Sequence, residues 1–539
     1  MLTGLVSAHA QTVTGKSEVF QEPLSEGWTK MIMLKNGNTF YFHYGSKKGI
    51  ETYVWDKDRK LVNKVAIKSD NWQASKKRRV KINGLYEIGG EPVIFLEYYD
   101  GRTPVLYRLR LNPNDGSLLK EETVSKLQMA AHADFDVTFK MYGGVEVNNN
   151  GDGQDVIVEK DAESDNYGVI SYYGNKKSGQ HLRVQLFDGS HKLINSGSYT
   201  SPDPDFKKLN IIGATVEGNR VFIATYGALS AKGKNAHVFI SCLRAGDTVL
   251  TTRQLDFTED FKNTNSQMVY NHNSNSIVML TNTLAEKKSK SNNYVSFLSY
   301  IDPENLALNG VHVVSNEYVN RYAHDKLNIE MNYAGLPQKV IVNSDNTLTV
   351  LQEDMSTQEV YSSRGGHVAT YTFLGNIGVT EIGNDGKEKA GYALMKKQMY
   401  GGELNPLYMA GRDKGLWVNE SYSSRYVDDN LFLSYEYIHT PTDSYVLFND
   451  NPKNNKKSES KKKRKATTNT DYINTICYKL KDGTATRTYL FGEPEKKKKS
   501  RACYIETSYF DRKTNTYVTI ESDENGSKYN SYVIWMHFD

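Results

Sequence analysis

Short runs of apolar and β-branched residues alternate with polar turns along almost the whole chain. The same unit recurs: an Asn or another turn residue, a strand, a polar loop, a second strand, a tight Asp/Gly/Asn turn and a third strand. The first copy reads NTFYFHYGSKKGIETYVWDKDRKLVNKVAI, and copies begin at residues 38, 91, 166, 219, 275, 346, 430 and 515. No long stretch has the spacing of apolar residues that an amphipathic helix needs. The pattern therefore predicts an all-β protein.

The copies recur at intervals of roughly 50 to 85 residues, and each has about four strands once the segment before its turn residue is counted. Such a sheet cannot bury both faces alone, but several can when they pack around an axis. The last copy offers three strands, and TVTGKSEVF near the N-terminus offers a fourth that would remove an exposed edge. We predict one β-propeller domain over residues 11–539, with eight blades (alternative seven) and the ring closed by an N-terminal strand.

Composition supports strands and leaves the charge question open. The 539 residues include 37 Tyr and 41 Gly but only 12 Pro, which favours strands and tight turns over helices. Lys and Arg total 67 against 63 Asp and Glu, so the overall charge does not indicate a class of partner. No apolar run reaches 18 residues, and no transmembrane segment is therefore expected.

The first ten residues, MLTGLVSAHA, are typical of the end of a secretory signal peptide. Ala8 and Ala10 occupy the small-residue positions before a cut at Gln11. We interpret residues 1–10 as a signal-peptide remnant, with an ordinary N-terminal extension as the alternative. The expected location is secreted, periplasmic or at the cell surface.

The repeat pattern, the Tyr and Asn usage and the signal remnant together resemble the secreted propeller-like proteins common in Bacteroidota. The resemblance covers nearly the whole mature chain and implies a fold and a compartment, not an activity. The chain lacks a Gly-x-Ser-x-Gly elbow, a His-Glu-x-x-His motif, a P-loop and a Gly-x-Gly-x-x-Gly turn after a strand. Sequence motifs therefore name no reaction.

The loops between second and third strands, and the links between blades, should share one rim of a propeller, and many of them are basic. A rim of one sign can steer polyanions although the net charge is only +4. The alternative is that these are ordinary solvated loops, and the insert at 453–470 is expected to be disordered. The predicted anion-binding residues are Lys47, Lys48, Lys76, Lys77, Arg78, Arg79, Lys176, Lys177, Lys287, Lys288, Lys461, Lys462, Lys463, Arg464 and Lys465.

Two functions from different classes follow. The favoured one is a non-catalytic binding or scaffold propeller that recognises a polyanionic glycan or an envelope protein through the basic rim, as a monomer or as a subunit of a larger complex. The alternative is a carbohydrate-active or other hydrolytic enzyme with its site in the axial pocket. Asp, Glu and His side chains converging on the axis would favour the enzyme.

The segment NNNGDGQDVIVE has the spacing of a calcium loop. Asn148, Asn150, Asp152 and Glu159 fall at positions 1, 3, 5 and 12, with Gly153 at position 6. Its flanks have the pattern of strands rather than helices, and it contains few carboxylates. The hypotheses are a structural turn or a weak Ca²⁺ site, and no other cofactor is expected.

Three cysteines leave the redox state open. Cys477 and Cys503 both lie in strand-like runs and are either disulfide-bonded or two buried thiols, whereas Cys242 is expected in the core.

Overall fold

The computed structural model describes most of the chain. The described residues are 11–19, 27–45, 48–76, 79–101, 103–127, 156–173, 181–203, 205–206, 208–229, 236–257, 264–284, 294–330, 332–363, 365–404, 406–418, 430–451, 454, 465–468, 473–494, 499–525 and 528–539.

After an N-terminal strand, the first three blades each contain four antiparallel strands in chain order. The N-terminal strand is β1 (Gln11–Lys16). Blade 1 consists of β2 (Trp28–Met33), β3 (Thr39–Gly45), β4 (Gly49–Trp55) and β5 (Leu61–Ile67). Blade 2 consists of β6 (Val80–Ile88), β7 (Glu91–Asp100), β8 (Thr103–Leu111) and β9 (Leu118–Lys126). Blade 3 consists of β10 (Val156–Lys160), β11 (Tyr167–Tyr173), β12 (His181–Phe187) and β13 (Leu193–Thr200).

The next three blades repeat this order, with a helix before the sixth. Blade 4 consists of β14 (Lys208–Glu217), β15 (Arg220–Ala228), β16 (Ala236–Leu243) and β17 (Thr251–Leu255). Blade 5 consists of β18 (Asn265–Asn271), β19 (Ser276–Leu284), β20 (Tyr294–Ile301) and β21 (Leu308–Val313). Helix α1 (Glu317–Leu327) follows. Blade 6 consists of β22 (Leu336–Val342), β23 (Leu348–Tyr361), β24 (His367–Ile382) and β25 (Glu388–Leu394).

The remaining strands form an excursion and a C-terminal sheet. The excursion contains β26 (Gln398–Gly401), helix α2 (Tyr408–Asp413) and β27 (Trp417–Val418). The C-terminal sheet contains β28 (Tyr435–His439), β29 (Ser444–Asp450), β30 (Asn474–Lys481), β31 (Thr484–Tyr489), β32 (Lys499–Cys503), β33 (Tyr509–Asp511), β34 (Thr516–Asn525) and β35 (Lys528–Phe538), and β1 is its ninth strand.

Both faces of the inner strands are buried, which explains their nearly continuous apolar sequences. In β3, Phe40 and Phe42 pack toward blade 2. Tyr41, between them, points to the opposite face and packs with Trp535 of the C-terminal sheet, as the two-residue period of a strand requires. A strand buried on both faces does not show the simple alternation of apolar and polar residues.

The same arrangement continues around the molecule. Apolar clusters join each blade to the next from blade 1 to blade 6, then blade 6 to β28–β31, β28–β31 to β32–β35, and β32–β35 to blade 1. The first strands of several neighbouring blades contact one another and lie innermost, whereas outer strands such as β5 are largely exposed. The protein is therefore an all-β propeller, as predicted.

The number of blades differs from the predicted eight and from the alternative of seven. The described residues form six separate blades and one nine-stranded sheet. The last two sequence repeats share that sheet because a parallel bridge between Asn474 and Arg501 links β30 to β32. Strand β1 pairs antiparallel with β35; closure of the ring by this strand stays a prediction.

One repeat begins elsewhere than predicted. Asn430 is not the turn residue of the seventh repeat, whose second strand starts at Ser444. Instead its side chain binds the backbone of Gly401, accepting from the amide at 2.9 Å and donating to the carbonyl at 3.0 Å. The sequence does not distinguish an Asn in a tight turn between two strands from an Asn whose side chain hydrogen-bonds to the backbone of another segment. Asn430 is of the second kind.

The excursion between blade 6 and the C-terminal sheet crosses toward the far side of the propeller. Strand β26 still pairs with β24 of blade 6, but β27 pairs with β6 of blade 2. Helix α2 lies between them, with Met409 packed between blade 6 and the C-terminal sheet. Helix α1 packs against β25. In the described part of the chain, neither helix has the length or the apolar character to cross a membrane.

Candidate active site on the propeller axis

Helix α2 is held on the axis by hydrogen bonds to the innermost strands of several blades. The bonds run from the backbone N–H of Leu407 to Gln338 Oε1 of β22 (2.9 Å), from the N–H of Leu85 in β6 to the carbonyl of Lys414 (2.9 Å), from Trp28 Nε1 of β2 to the carbonyl of Gly415 (3.0 Å), and from Arg412 Nη1 to the carbonyl of Tyr435 in β28 (2.8 Å). Polar groups from four sides thus fix a helix too short to be stable alone.

The C-terminal end of α2 carries a buried guanidinium. Arg412 Nη2 donates to Glu436 Oε2 at 3.0 Å, and Ser508 Oγ donates to the same oxygen at 3.2 Å. Lys30 Nζ donates to the backbone carbonyl of Ser508 at 3.0 Å. Burial lowers the pKa of Lys30, and the nearby Arg412 lowers it further. Two cations are therefore concentrated against the same carboxylates.

Asp413, the last residue of α2, is an ionised carboxylate that still reaches solvent. Lys339 of β22 forms an ion pair with it, and 36% of its side chain is exposed. Burial opposes ionisation, but the charges of Lys339 and Arg412 outweigh it and lower the pKa of Asp413 to about 2.

Glu506 responds to the same surroundings in the opposite direction. It lies between β32 and β33, is half-buried, and its backbone N–H donates to the carbonyl of Leu431 at 3.1 Å. Burial raises the pKa of its carboxyl group, against the attraction of Arg412 and Lys30. Among the described residues none donates a hydrogen bond to this carboxylate.

Two carboxyl groups in one electrostatic environment, one with a raised and one with a lowered pKa, form the arrangement that separates a proton donor from an ionised partner. Glu506 is the group that holds its proton longer, and Asp413 is the group that stays charged. The site therefore offers general-acid chemistry next to a fixed negative charge.

The other end of α2 carries a charge network of a different kind. Lys396 Nζ contacts the Glu353 carboxylate, Gln398 Oε1 (2.9 Å) and Ser434 Oγ (2.7 Å), and Tyr408 OH donates to Glu353 Oε2 at 2.7 Å. The side chains of both Lys396 and Glu353 are 0% exposed. Ser434 next to a lysine has the composition of a nucleophile and its base, but both side chains are buried. This network is structural.

The residues of the predicted calcium loop are only partly described. Asn148, Asn150 and Asp152 lie outside the described residues. Glu159 belongs to β10, is buried, and forms an ion pair with Lys414 of the excursion. Burial raises the pKa of Glu159, and Lys414 opposes that shift. The calcium site stays a prediction.

Four members of the predicted basic rim are described. Lys48 is 59% exposed and pairs with Glu51 at 3.1 Å, Lys76 and Lys465 are exposed, and Arg79 is half-buried at the entrance to β6. The others lie outside the described residues: Lys47, Lys77, Arg78, Lys176, Lys177, Lys287, Lys288, Lys461, Lys462, Lys463 and Arg464. Most of the insert at 453–470 lies outside them too, so the rim stays a prediction.

All three cysteines are buried free thiols. Cys477 and Cys503 share one apolar cluster, as the sequence allowed, without a bond between them. Burial raises the pKa of Cys477 to about 12, which makes it a poor nucleophile.

Sequence reasoning did not find Lys30, Arg412, Asp413 or Glu506. The available signal was the unusual length of the segment between the sixth and seventh repeats. Its helix has only six residues, and six residues are too few to show a helical period.

The chain matches no described protein family, and no curated protein matches it in sequence. Among solved structures it is similar to prolyl oligopeptidase B from Galerina marginata, at 9% identity and a TM-score of 0.40 over 93% of this chain and 56% of that one. It is also similar to the polysaccharide lyase Uly1, at 8% identity and a TM-score of 0.38 over 96% and 92% of the two chains. A third is the α-L-arabinanase of Penicillium chrysogenum, at 9% identity and a TM-score of 0.31 over 63% and 94%. These likenesses concern the fold and carry no argument about activity.

Proposed function

We propose that the protein is a carbohydrate-active hydrolase whose site lies at the C-terminal end of α2, near the axis. One observation carries the proposal: Asp413 and Glu506 share Arg412 and Lys30 as charged neighbours, and their pKa values are shifted in opposite directions. Glycoside hydrolysis needs two carboxyl groups in different protonation states.

Each residue has a role in this proposal. Glu506 donates its proton to the oxygen of the glycosidic bond as the C–O bond breaks. Asp413 remains ionised and stabilises the positive charge that develops on the sugar carbon. Water then forms the new C–O bond, and its proton returns Glu506 to the acid form through solvent.

The surrounding cations support an anionic glycan as the substrate class. Lys30, Lys339 and Arg412 lie around the two carboxyl groups. Lys76 and Arg79 lie just before the start of β6, and β27 pairs with the first residues of that strand. The negative charges of a carboxylated or sulfated sugar would be attracted first to the basic residues of the rim and then to the three cations near the axis.

The test is release of reducing ends from polygalacturonate, alginate and heparin, with arabinan and xylan as neutral comparators. We expect activity on at least one anionic polymer, and a fall in kcat of at least about 100-fold in Glu506→Gln, because general acid catalysis contributes roughly that much. Glu493→Gln removes an exposed carboxylate elsewhere and should retain the full rate. No activity on any of the five polymers, or an unchanged rate in Glu506→Gln, would refute the hydrolase.

A second candidate is a non-catalytic binder that uses the basic rim alone, and the exposure of Lys48, Lys76 and Lys465 supports it. Retention on heparin should then fall as salt rises, since roughly 0.1 M salt screens surface charges beyond about 10 Å. The double change Lys76→Gln and Arg79→Gln, or deletion of residues 456–465, should weaken retention. If neither change does so, the rim is not a binding surface.

A further inference from the structure

Three turns between first and second strands bring metal-ligating side chains together from three blades. Asp161 follows β10 in blade 3, Glu217 ends β14 in blade 4, and His272 follows β18 in blade 5. One ligand atom from each lies within 4.8 Å of the others. The three residues thus occupy similar positions, at or just after the end of the first strand, in consecutive blades.

Asp161 is fixed by its own turn and by the next blade. Its Oδ1 accepts from the N–H of Glu163 at 3.1 Å, and its Oδ2 accepts from the Ser164 hydroxyl and from the N–H of Gly218 at 2.9 Å. These hydrogen bonds compensate the carboxylate for the loss of water on burial, and the bond from Gly218 orients it toward blade 4. Each carboxylate oxygen has two lone pairs, and Oδ1 accepts only one hydrogen bond from the described residues, so a cation can bind at Oδ1 beside that donor.

Glu217 has a buried carboxylate oxygen that the hydrogen bonds within the described turns leave without a donor. Its Oε2 is closed to water and accepts no hydrogen bond from the described residues, and it lies 3.5 Å from His272 Nε2. The neighbouring Asp161 adds a second negative charge to a carboxylate that burial already disfavours. A cation bound between Glu217 Oε2 and His272 Nε2 would supply the favourable contact that hydrogen bonding does not.

His272 is placed for a role as a ligand. Its ring packs against the ring of Tyr270, with centroids 5.1 Å apart, and the Tyr270 hydroxyl accepts a hydrogen bond from Arg220 Nη2 at 3.2 Å. The imidazole is 36% exposed. Its Nε2 faces the carboxylates while the outer side of the site remains open to solvent.

We propose that Asp161, Glu217 and His272 bind a divalent transition metal of the Zn²⁺ class. One imidazole and two carboxylates form a donor set that Zn²⁺ accepts, with three protein ligands and a fourth position left for water. An imidazole ligand does not suit Ca²⁺ or Mg²⁺, which prefer oxygen. The metal would join blades 3, 4 and 5 through their turns.

The test is calorimetric titration of the EDTA-treated full-length protein with Zn²⁺, and with Ca²⁺ in parallel. We expect one Zn²⁺ per chain and no comparable heat from Ca²⁺. His272→Ala and Glu217→Gln should each weaken Zn²⁺ binding by at least ~100-fold, because changing even outer-shell partners costs roughly 10- to 100-fold.

The matched control is His237→Ala, which removes an exposed histidine of blade 4 outside the three turns and should leave the titration unchanged. His272 is exposed, so its replacement should not unfold the protein, and an unchanged Tm without metal verifies this. Zn²⁺ should raise the Tm of the parent protein but not that of His272→Ala. Absence of Zn²⁺ binding in the parent protein, or equal binding by His272→Ala, would overturn the proposal.

Discussion

The two ends of helix α2 carry buried charge in opposite ways. At its first residue, Tyr408 joins Lys396, Glu353, Gln398 and Ser434 in a network whose charged side chains are fully buried and hydrogen-bonded. At its last residue, Asp413 retains exposed surface. In the first arrangement the charged groups are already paired with one another, whereas in the second a carboxyl group remains available to a ligand.

The contrast shows why burial of charge does not by itself identify a functional site. A buried pair costs desolvation, and its removal is severe because one charge is then left alone. The useful distinction is whether every donor and acceptor is already satisfied. Glu353 is satisfied by Lys396, Ser434 and Tyr408, whereas Glu506 lacks such donors among the described residues.

The largest expected effect is at the closed end. Lys396→Met should destabilise the protein by roughly 3–5 kcal/mol, because Glu353 would remain charged and buried without its partner. Urea denaturation followed by tyrosine fluorescence measures this loss. Lys389→Met, which removes an exposed lysine paired with Asp385 on the surface, should cost less than about 1 kcal/mol. Equal losses in the two variants would mean that the closed network is not structural.

An intermediate effect is expected from Asp413→Asn. Its ion pair with Lys339 should be worth on the order of 1 kcal/mol, since the carboxylate is partly exposed and screened. The pKa of Asp413 is lowered to about 2 from 3.8, so its contribution is present above pH 3.8 and is lost as the pH falls toward 2. The difference in unfolding free energy between parent and variant should therefore disappear in acid. A difference that stays the same from pH 5 down to pH 2 would contradict the lowered pKa.

The smallest effect on stability is expected from Glu506→Gln. The pKa of Glu506 is raised above its ordinary 4.5, so the folded protein binds this proton more tightly than the unfolded chain. The parent should lose stability relative to the variant as the pH rises from 4.5 through the folded pKa, and near neutrality the variant should be at least as stable. A variant less stable than the parent at pH 7 would place Glu506 in the same class as Glu353.

Much of the fold was predictable because the same strand pattern recurs along the chain, so an ambiguous strand in one copy can be assigned from the other copies. The strand–loop–strand spacing recurs often enough to identify the second and third strands of most blades. The sharing of one sheet by the last two repeats was not predictable, since it rests on a single bridge at Asn474. Bridges of that kind leave no pattern in the sequence.

The site residues were not predictable for a related reason. Glu506 lies in the short gap between two strands and carries no motif, and Arg412 lies in a helix without visible periodicity. Likewise, Asp161 and His272 are distant in sequence and meet only through the geometry of three consecutive blades. Turn positions on a propeller converge in space without any spacing that a motif search detects.

The hydrogen bond from Lys30 to Ser508 joins residues 478 positions apart, and the bond from Leu85 to the carbonyl of Lys414 spans most of the same distance. Contacts of such sequence separation form late, because most of the chain must be present before they can close. During synthesis the early blades can emerge and pack while the axis is still empty. A chain that stops before residue 506 would therefore keep the strands of the first six blades but lack Glu506, so the two carboxyl groups can meet only after most of the C-terminal sheet has been made.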